Sequence, residues 1–351
     1  MEYRILGKSG LKVSAVTLGT MTFGGVDAFA KVGNADVKSA KSIIDLSIER
    51  GVNLIDTANM YSAGASEEII GEVLNGKRPN NVLISTKARM PVGNGANDEG
   101  FSRYHLIREA EKSLKRLRTD VIDIYYMHEW DGLTPLEEML EALDTLVKQG
   151  KIRYIGSSNF SGWHTMKALG ISKEYGYQRF VTQQIHYTLE AREAENELLP
   201  IGIDQGLGAL IWSPLAGGLL SGKYTKNIQT QAGTRFAEGW NEPPIKDWDR
   251  LWNIVEVLSD IAAQKKVSAS QIAIAWILTK PSVSSVVIGG RTLEQIENNI
   301  NATGVQLTPD EIKRLNEVSK LPLLYPYWHQ ANFAKNRLSE ADKVLLEQYL
   351  P

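Results

Sequence analysis

Eight short apolar runs rich in β-branched residues recur along the chain and limit its fold more than any other feature. They are VSAVTLG (13–19), VNLIDTA (52–58), VLISTK (82–87), VIDIYYMH (121–128), IRYIGSS (152–158), FVTQQIH (180–186), ALIWSP (209–214) and SVVIGG (285–290). Continuous apolar runs of this length mark strands buried on both faces. Between them lie segments with apolar residues at helical spacing, such as KSAKSIIDLSIERG (Ile43, Ile44, Leu46, Ile48), LIREAEKSLKRLR (Leu106, Ile107, Ala110, Leu114, Leu117) and LEEMLEALDTLVKQG (Leu136, Met139, Leu140, Leu143, Leu146, Val147). Gly51 and Gly150 stand just past two of these segments, where a helix is expected to stop. Buried strands alternating with helices imply a parallel sheet covered on its outside and joined by right-handed crossovers. Eight such units suit a closed (β/α)8 TIM barrel; a doubly wound open sheet is the alternative. A length of 351 residues divided by ~150 per domain suggests two domains, yet one barrel with insertions accommodates it all. The order of elements favours a single barrel domain over 1–351.

Ahead of the first strand, YRIL…GLKV (3–13) reads as a small hairpin pivoting on Gly10 and plugging the barrel floor. After the eighth, TLEQIENNIN and TPDEIKRLNEVS read as two extra C-terminal helices, the second opening on Thr308 with Glu311 at capping-box spacing. Three connections exceed what a barrel needs, 24–36, 89–101 and 214–247, and all follow strands. Such loops lie at the C-terminal face, where barrel enzymes build their sites. Lysine plus arginine total 39 against 41 acidic residues, which argues against a nucleic-acid partner. Cysteine is absent, removing disulfides and thiolate metal sites and fitting a reducing compartment. No basic leader with an apolar core opens the chain, and no apolar stretch approaches ~20 residues, so a soluble, cytoplasmic chain without a membrane partner is expected.

The informative side chains interrupt the apolar runs at their ends. Strand two closes on Asp56, strand three on Lys87 and strand four on His128, and Tyr61 follows Asp56 on a loop. Each alone has an ordinary structural reading, as a loop cap, a snorkelling lysine or a histidine serving one backbone group. Jointly they converge on one barrel mouth, where an Asp–Lys ion pair is costly to bury unless matched. A phenol, with a pKa of ~10, needs a neighbouring positive charge to act as an acid–base group at neutral pH. Lys87 would supply it, Asp56 would hold Lys87 charged, and His128 would hydrogen-bond a substrate oxygen. The set suits proton transfer to a carbonyl oxygen while a hydride moves at carbon.

With these residues in place, the chain resembles the aldo-keto reductases. The likeness runs in family order through LGTMTFG (18–24), DTANMYSAGASEEIIGEVL (56–74), STKARM (85–90), DIYYMHEWD (123–131), KIRYIGSSNF (151–160), TQQIHYTLEAREAENELLP (182–200), WSPLAGGLLSGKY (212–224) and VIGGRTLEQIENN (287–299). It implies NAD(P)H-dependent reduction of aldehydes or ketones, with Asp56, Tyr61, Lys87 and His128 as the catalytic set and Tyr61 as proton donor. It further implies that Ser158, Asn159 and Gln184 hold the nicotinamide carboxamide while Trp212 stacks on the ring. Ser213, Leu215, Gly217 and Lys223 would line the pyrophosphate path; Arg291, Gln295 and Asn299 would hold the adenosine end. Gly19, Thr20, Met21, Pro214, Gly289 and Asn298 join the cofactor contacts by the same resemblance.

Arg291 could clamp a 2′-phosphate, which favours NADP(H) over NAD(H), although Gly290 departs from relatives that carry a side chain there. Met21, Phe23, Met60, Trp130 and residues of the 214–247 loop, Trp240 among them, are expected to ring a carbonyl pocket suited to apolar or aromatic aldehydes. LYPYWHQANF (324–333) either approaches the mouth or packs on the wall. GGLLSGKY (217–224) nearly matches a P-loop, but Tyr224 replaces the hydroxyl residue that must meet Mg²⁺, and no G-x-G-x-x-G occurs. The five histidines show no i, i+3 or i, i+4 pairing, and no metal is expected. The competing reading is a regulatory subunit resembling the potassium-channel β subunits. Self-association is left open.

Overall fold

Residues 3–14 form the expected hairpin, with strands β1 (Tyr3–Ile5) and β2 (Lys12–Ser14) paired antiparallel. They belong to a computed structural model that describes residues 1–226, 239 and 242–350. The turn's steric demand falls on Gly7 and not on the expected Gly10. Gly7 has φ +55°, and a Cβ there would lie 2.3 Å from the Val181 carbonyl oxygen, whereas Gly10 faces open space.

Eight strands follow: β3 (Val16–Gly19), β4 (Leu54–Asp56), β5 (Leu83–Ala88), β6 (Ile122–Met127), β7 (Ile152–Ser158), β8 (Phe180–His186), β9 (Gly208–Trp212) and β10 (Val283–Ile288). All neighbours pair in parallel, and β10 closes on β3 to complete a barrel. Around it run α1 (Val37–Glu49), α2 (Ala65–Leu74), α3 (Arg103–Leu117), α4 (Leu136–Lys148), α5 (Gly162–Tyr175) and α6 (Leu198–Gln205). Among the described residues the β9–β10 connection carries the helices α7 (Trp248–Lys265) and α8 (Ala269–Leu278), and α9 (Leu293–Asn301) follows β10. Beyond these come α10 (Pro309–Ser319), α11 (Tyr327–Phe333) and α12 (Glu340–Leu346). The Thr308–Glu311 capping box forms, and Gly51 and Gly150 adopt positive φ just past α1 and α4. Among the described residues no helix is long and apolar enough to cross a membrane.

Two apolar cores result. The larger lies between strands and helices; the smaller fills the barrel's lower interior with Leu54, Leu83, Ile124, Tyr126 and Leu210, sealed by Leu6 and Val13 of the hairpin segment. Side chains two apart on a strand share a face. Asp56 therefore sits above Leu54, Ser85 and Lys87 above Leu83, and His128 above Tyr126, so the interior grades from apolar floor to polar mouth. Gly156 makes room in this stack, since a Cβ there would meet the Tyr126 ring at 2.5 Å. The C-terminal segment packs on the wall, with α12 against α6 and none of 324–333 lining the mouth.

Candidate active site

Asp56 ends β4 almost fully buried, and its carboxylate receives three donors: Ser85 Oγ at 2.6 Å, Lys87 Nζ at 2.6 Å and Gln184 Nε2 at 3.0 Å. Ser85 and Lys87 reach it because they alternate on the inward face of β5, in register beside β4. The Lys87 ammonium has no solvent exposure; it also donates to the Thr57 carbonyl at 2.7 Å and stands 3.4 Å from Tyr61 Oη. A buried cation so matched retains its charge. Burial alone would lower its pKa, but Asp56 and Tyr61 outweigh burial and raise it.

Tyr61 opens a short 3-10 turn whose next residues, Ser62, Ala63 and Gly64, all have left-handed backbones with φ of 51°, 54° and 96°. Such strain persists only where the surroundings hold it. Ser62 Oγ donates to the Phe23 carbonyl at 2.9 Å and accepts from the Gly25 N–H at 3.1 Å, pinning the turn to the β3–α1 loop. A second brace was not legible in the sequence. Asn59 Nδ2 donates to Glu109 Oε2 on α3 at 3.1 Å, and both side chains are buried.

The Tyr61 phenol departs from expectation in one respect. Burial pushes its pKa up; the Lys87 ammonium pulls it down as foreseen, Asp56 pushes it up again, and the net direction is upward. The phenol is thus protonated at neutral pH and disposed to donate. The His128 ring stands edge-on to Tyr61 with centroids 5.8 Å apart. Burial, with Lys87 and Arg89, lowers the His128 pKa well below its usual range, so the ring is neutral. Its Nδ1 is buried without a partner; a proton on Nε2 leaves only a lone pair stranded there.

His186, against Trp212 at 4.6 Å between centroids, is pulled by burial from 6.5 to about 4. An unfolded chain takes up that proton near its ordinary value, the folded chain only at lower pH. The stability conferred by the neutral ring is therefore complete above about pH 6.5 and is lost as pH falls towards 4. The Tm should fall across that interval, and His186→Gln should flatten part of the slope in a Tm–pH profile. An identical slope in the variant would contradict this account.

Above these residues opens a cavity of about 780 Å³, within the range of small-molecule sites. Asp56, Tyr61 and His128 line one end, Lys87 lying behind them. Ser158, Asn159, Gln184 and Trp212 line its middle wall, the Trp212 indole donating to Asn159 Oδ1 at 3.1 Å and Asn159 Nδ2 to the His128 carbonyl at 3.1 Å. Asn159 keeps one amide hydrogen and one lone pair free, and Gln184 keeps its carbonyl oxygen. Ser213, Pro214, Leu215, Gly217 and Lys223 from the segment after β9 line it too, as do Gly289, Arg291, Gln295, Asn298 and Asn299 after β10, and Gly19, Thr20 and Met21 after β3.

Several of these side chains are already engaged. Arg291 donates to the carbonyls of Lys31 at 2.6 Å and Val32 at 3.0 Å, Asn298 bridges Ser268 and Ser270, and Thr20 donates to the Asp56 carbonyl. A Cβ at Gly290 would press on the Gln295 and Ile296 side chains at 3.0 and 3.2 Å, tighter than ordinary contact, so a side chain there requires those neighbours to shift.

The expected substrate ring is only partly assembled. Met21 and Met60 line the cavity, but Phe23 is buried in the main core and serves through its carbonyl, and Trp130 stacks on His164 at 3.6 Å and is not among the lining residues. Trp240 lies outside the described residues. Beside them stand Phe29, Met90 and Glu129, which no sequence pattern flagged, and Glu242, which belongs to the 214–247 loop expected at this pocket. Among the described residues no three acidic or histidine side chains are grouped to hold a metal ion.

A family model for the aldo/keto reductase family matches residues 15–320. The chain is 41% identical to an uncharacterized oxidoreductase, YrpG, of Bacillus subtilis (strain 168), over 91% of this chain and 96% of that protein. It is 37% identical to a probable voltage-gated potassium channel subunit beta of Arabidopsis thaliana, again over 91% of this chain and 96% of the relative. It is 34% identical to versiconal hemiacetal acetate reductase of Aspergillus parasiticus, over 90% of this chain and 96% of that protein.

Proposed function

Because the chain belongs to the aldo/keto reductase family, we propose that it reduces aldehydes or ketones to alcohols with NAD(P)H, Tyr61 giving the proton. The observation that carries this reading is Lys87 Nζ, buried at 2.6 Å from Asp56 and 3.4 Å from the Tyr61 hydroxyl at the end of a large cavity. The phenol donates to the carbonyl oxygen as negative charge develops there. Lys87 stabilises the resulting phenolate, and neutral His128 orients the same oxygen through Nε2.

The cavity's donor set fits a dinucleotide. Glycine backbones at 217, 218 and 289 allow close approach, and cations at Lys223 and Arg291 with hydroxyls at Ser221, Ser268 and Ser270 suit phosphates. Such a cofactor would supply the hydride. Ser158, Asn159 and Gln184 would hold its carboxamide, Trp212 would cover the ring, and Gln295 and Asn299 would flank the adenosine.

NADPH is the favoured form because Arg291 can exchange its carbonyl contacts for a 2′-phosphate. Arg291→Ala should weaken NADPH binding about tenfold or more and NADH much less, read by fluorescence titration. Equal losses would reverse the preference. The activity itself is tested by assaying a panel of aldehydes and ketones with each cofactor in parallel; no turnover of any member refutes the reading.

A second reading draws on the plant relative named as a potassium channel subunit beta. Co-purification with a membrane channel, without turnover of the panel, would favour it.

A further inference from the structure

At the end of the cavity beside Tyr61 and His128, the charged side chains that line the space are, among the described residues, all acidic: Asp56, which is paired with Lys87, and two more. Glu129 and Glu242 stand there with Phe29, Met60 and Met90. Glu129 follows His128 immediately, just past β6, and one carboxylate oxygen accepts from the Trp130 N–H at 2.8 Å. That bond tethers the group beside the histidine. Glu242 acts electrostatically on both Glu129 and Tyr61, so the two carboxylates share one field at the proton donor.

The nearby cation does not cancel them. Burial raises the Glu129 pKa above its ordinary value, and the Trp130 N–H and Arg89 offset this only in part; Arg89 does not line the cavity and stands 3.9 Å from Glu99. Among the described residues the cations that do line the cavity, Lys223 and Arg291, follow β9 and β10, and the Arg291 guanidinium is drawn towards the Lys31 and Val32 carbonyls. Aromatic faces complete the end: Phe29 lies tilted against Tyr61 with centroids 5.6 Å apart. Carboxylates combined with aromatic rings in a partly enclosed space recognise ammonium groups, by Coulomb attraction and by cation–π contact. The same field repels an anion.

We propose that this end of the cavity selects carbonyl compounds bearing an ammonium group and rejects those bearing a carboxylate, with Glu129 as the specificity-determining side chain. The inference rests on the reductase reading above and names its substrate class. It replaces the purely apolar pocket expected from the sequence, since two of that pocket's aromatic residues point elsewhere.

The test uses three benzaldehydes that differ only in a para substituent set off by one methylene: trimethylammoniomethyl, neopentyl and carboxymethyl. Each is assayed with saturating NADPH on the wild-type protein, Glu129→Gln and Glu242→Gln. Dividing wild-type by variant kcat/KM for each aldehyde cancels intrinsic reactivity, and glutamine preserves the bond from Trp130.

The cationic aldehyde should be preferred over the anionic one by about a hundredfold at low salt, falling about tenfold in Glu129→Gln and less in Glu242→Gln. Added salt should shrink the preference in the wild type. An unchanged cation-to-anion ratio in Glu129→Gln, or a wild-type preference for the anion, would overturn the proposal while leaving the reductase intact. No reduction of any of the three, the neutral one included, would overturn both.

Discussion

Tyr61→Phe should remove nearly all carbonyl reduction while leaving the cofactor bound. Among the described residues the hydroxyl's hydrogen-bond contact is the 3.4 Å approach of Lys87. Its loss therefore costs little stability. A positioned general acid contributes about 10²- to 10⁴-fold, and a loss of kcat in that range is expected with cofactor affinity within about twofold of the wild type. Single-turnover kinetics with prebound NADPH separate the chemical step from binding. Near-normal turnover in the variant would remove Tyr61 from the mechanism, and with it the role assigned to the ammonium behind it.

Lys87→Met should damage both folding and activity. The substitution strands the Asp56 carboxylate in a buried layer with only Ser85 and Gln184 as neutral donors. Removing one partner of a buried pair typically costs about 3–5 kcal/mol, whereas replacing both by apolar groups is often nearly neutral. Chemical denaturation should accordingly show a large deficit for Lys87→Met and substantial recovery for Asp56→Leu combined with Lys87→Met. Neither protein should reduce carbonyls.

The sign with pH follows from Lys87. Its folded pKa is raised above the ordinary 10.5, so the pair's contribution is present through the neutral range and is lost only as pH climbs past that value. The deficit of the single variant should therefore be constant between pH 6 and pH 9. A double variant as unstable as Lys87→Met alone would show that packing, not charge, governs the site.

Much of this arrangement was legible because a closed parallel barrel writes its strands as uninterrupted apolar runs. Asp56, Lys87 and His128 stood out because each breaks such a run where the barrel meets its mouth. The substrate wall was not legible for the opposite reason. Composition cannot say which way a loop aromatic faces: Phe23 turns into the core, and Trp130, only half-buried, is held by its stack on His164. Glu129, Phe29 and Met90 reach the cavity through loop geometry that no periodicity encodes. The Asn59–Glu109 brace joins residues 50 apart, a pairing only the fold reveals. Even the correct pair of Lys87 and Tyr61 misled on one point, since sequence gives the neighbouring charge but not the depth of burial that outweighs it.

The hairpin under the barrel has a practical meaning for anyone redesigning this chain. Leu6 and Val13 close a greasy lower storey whose members sit one rung beneath the polar groups. Robustness and reactivity are thus housed on separate floors of the same eight walls. Bulk could be added or exchanged below to toughen the protein against heat, while the rim above is recut for a new reactant, with little traffic between the two edits.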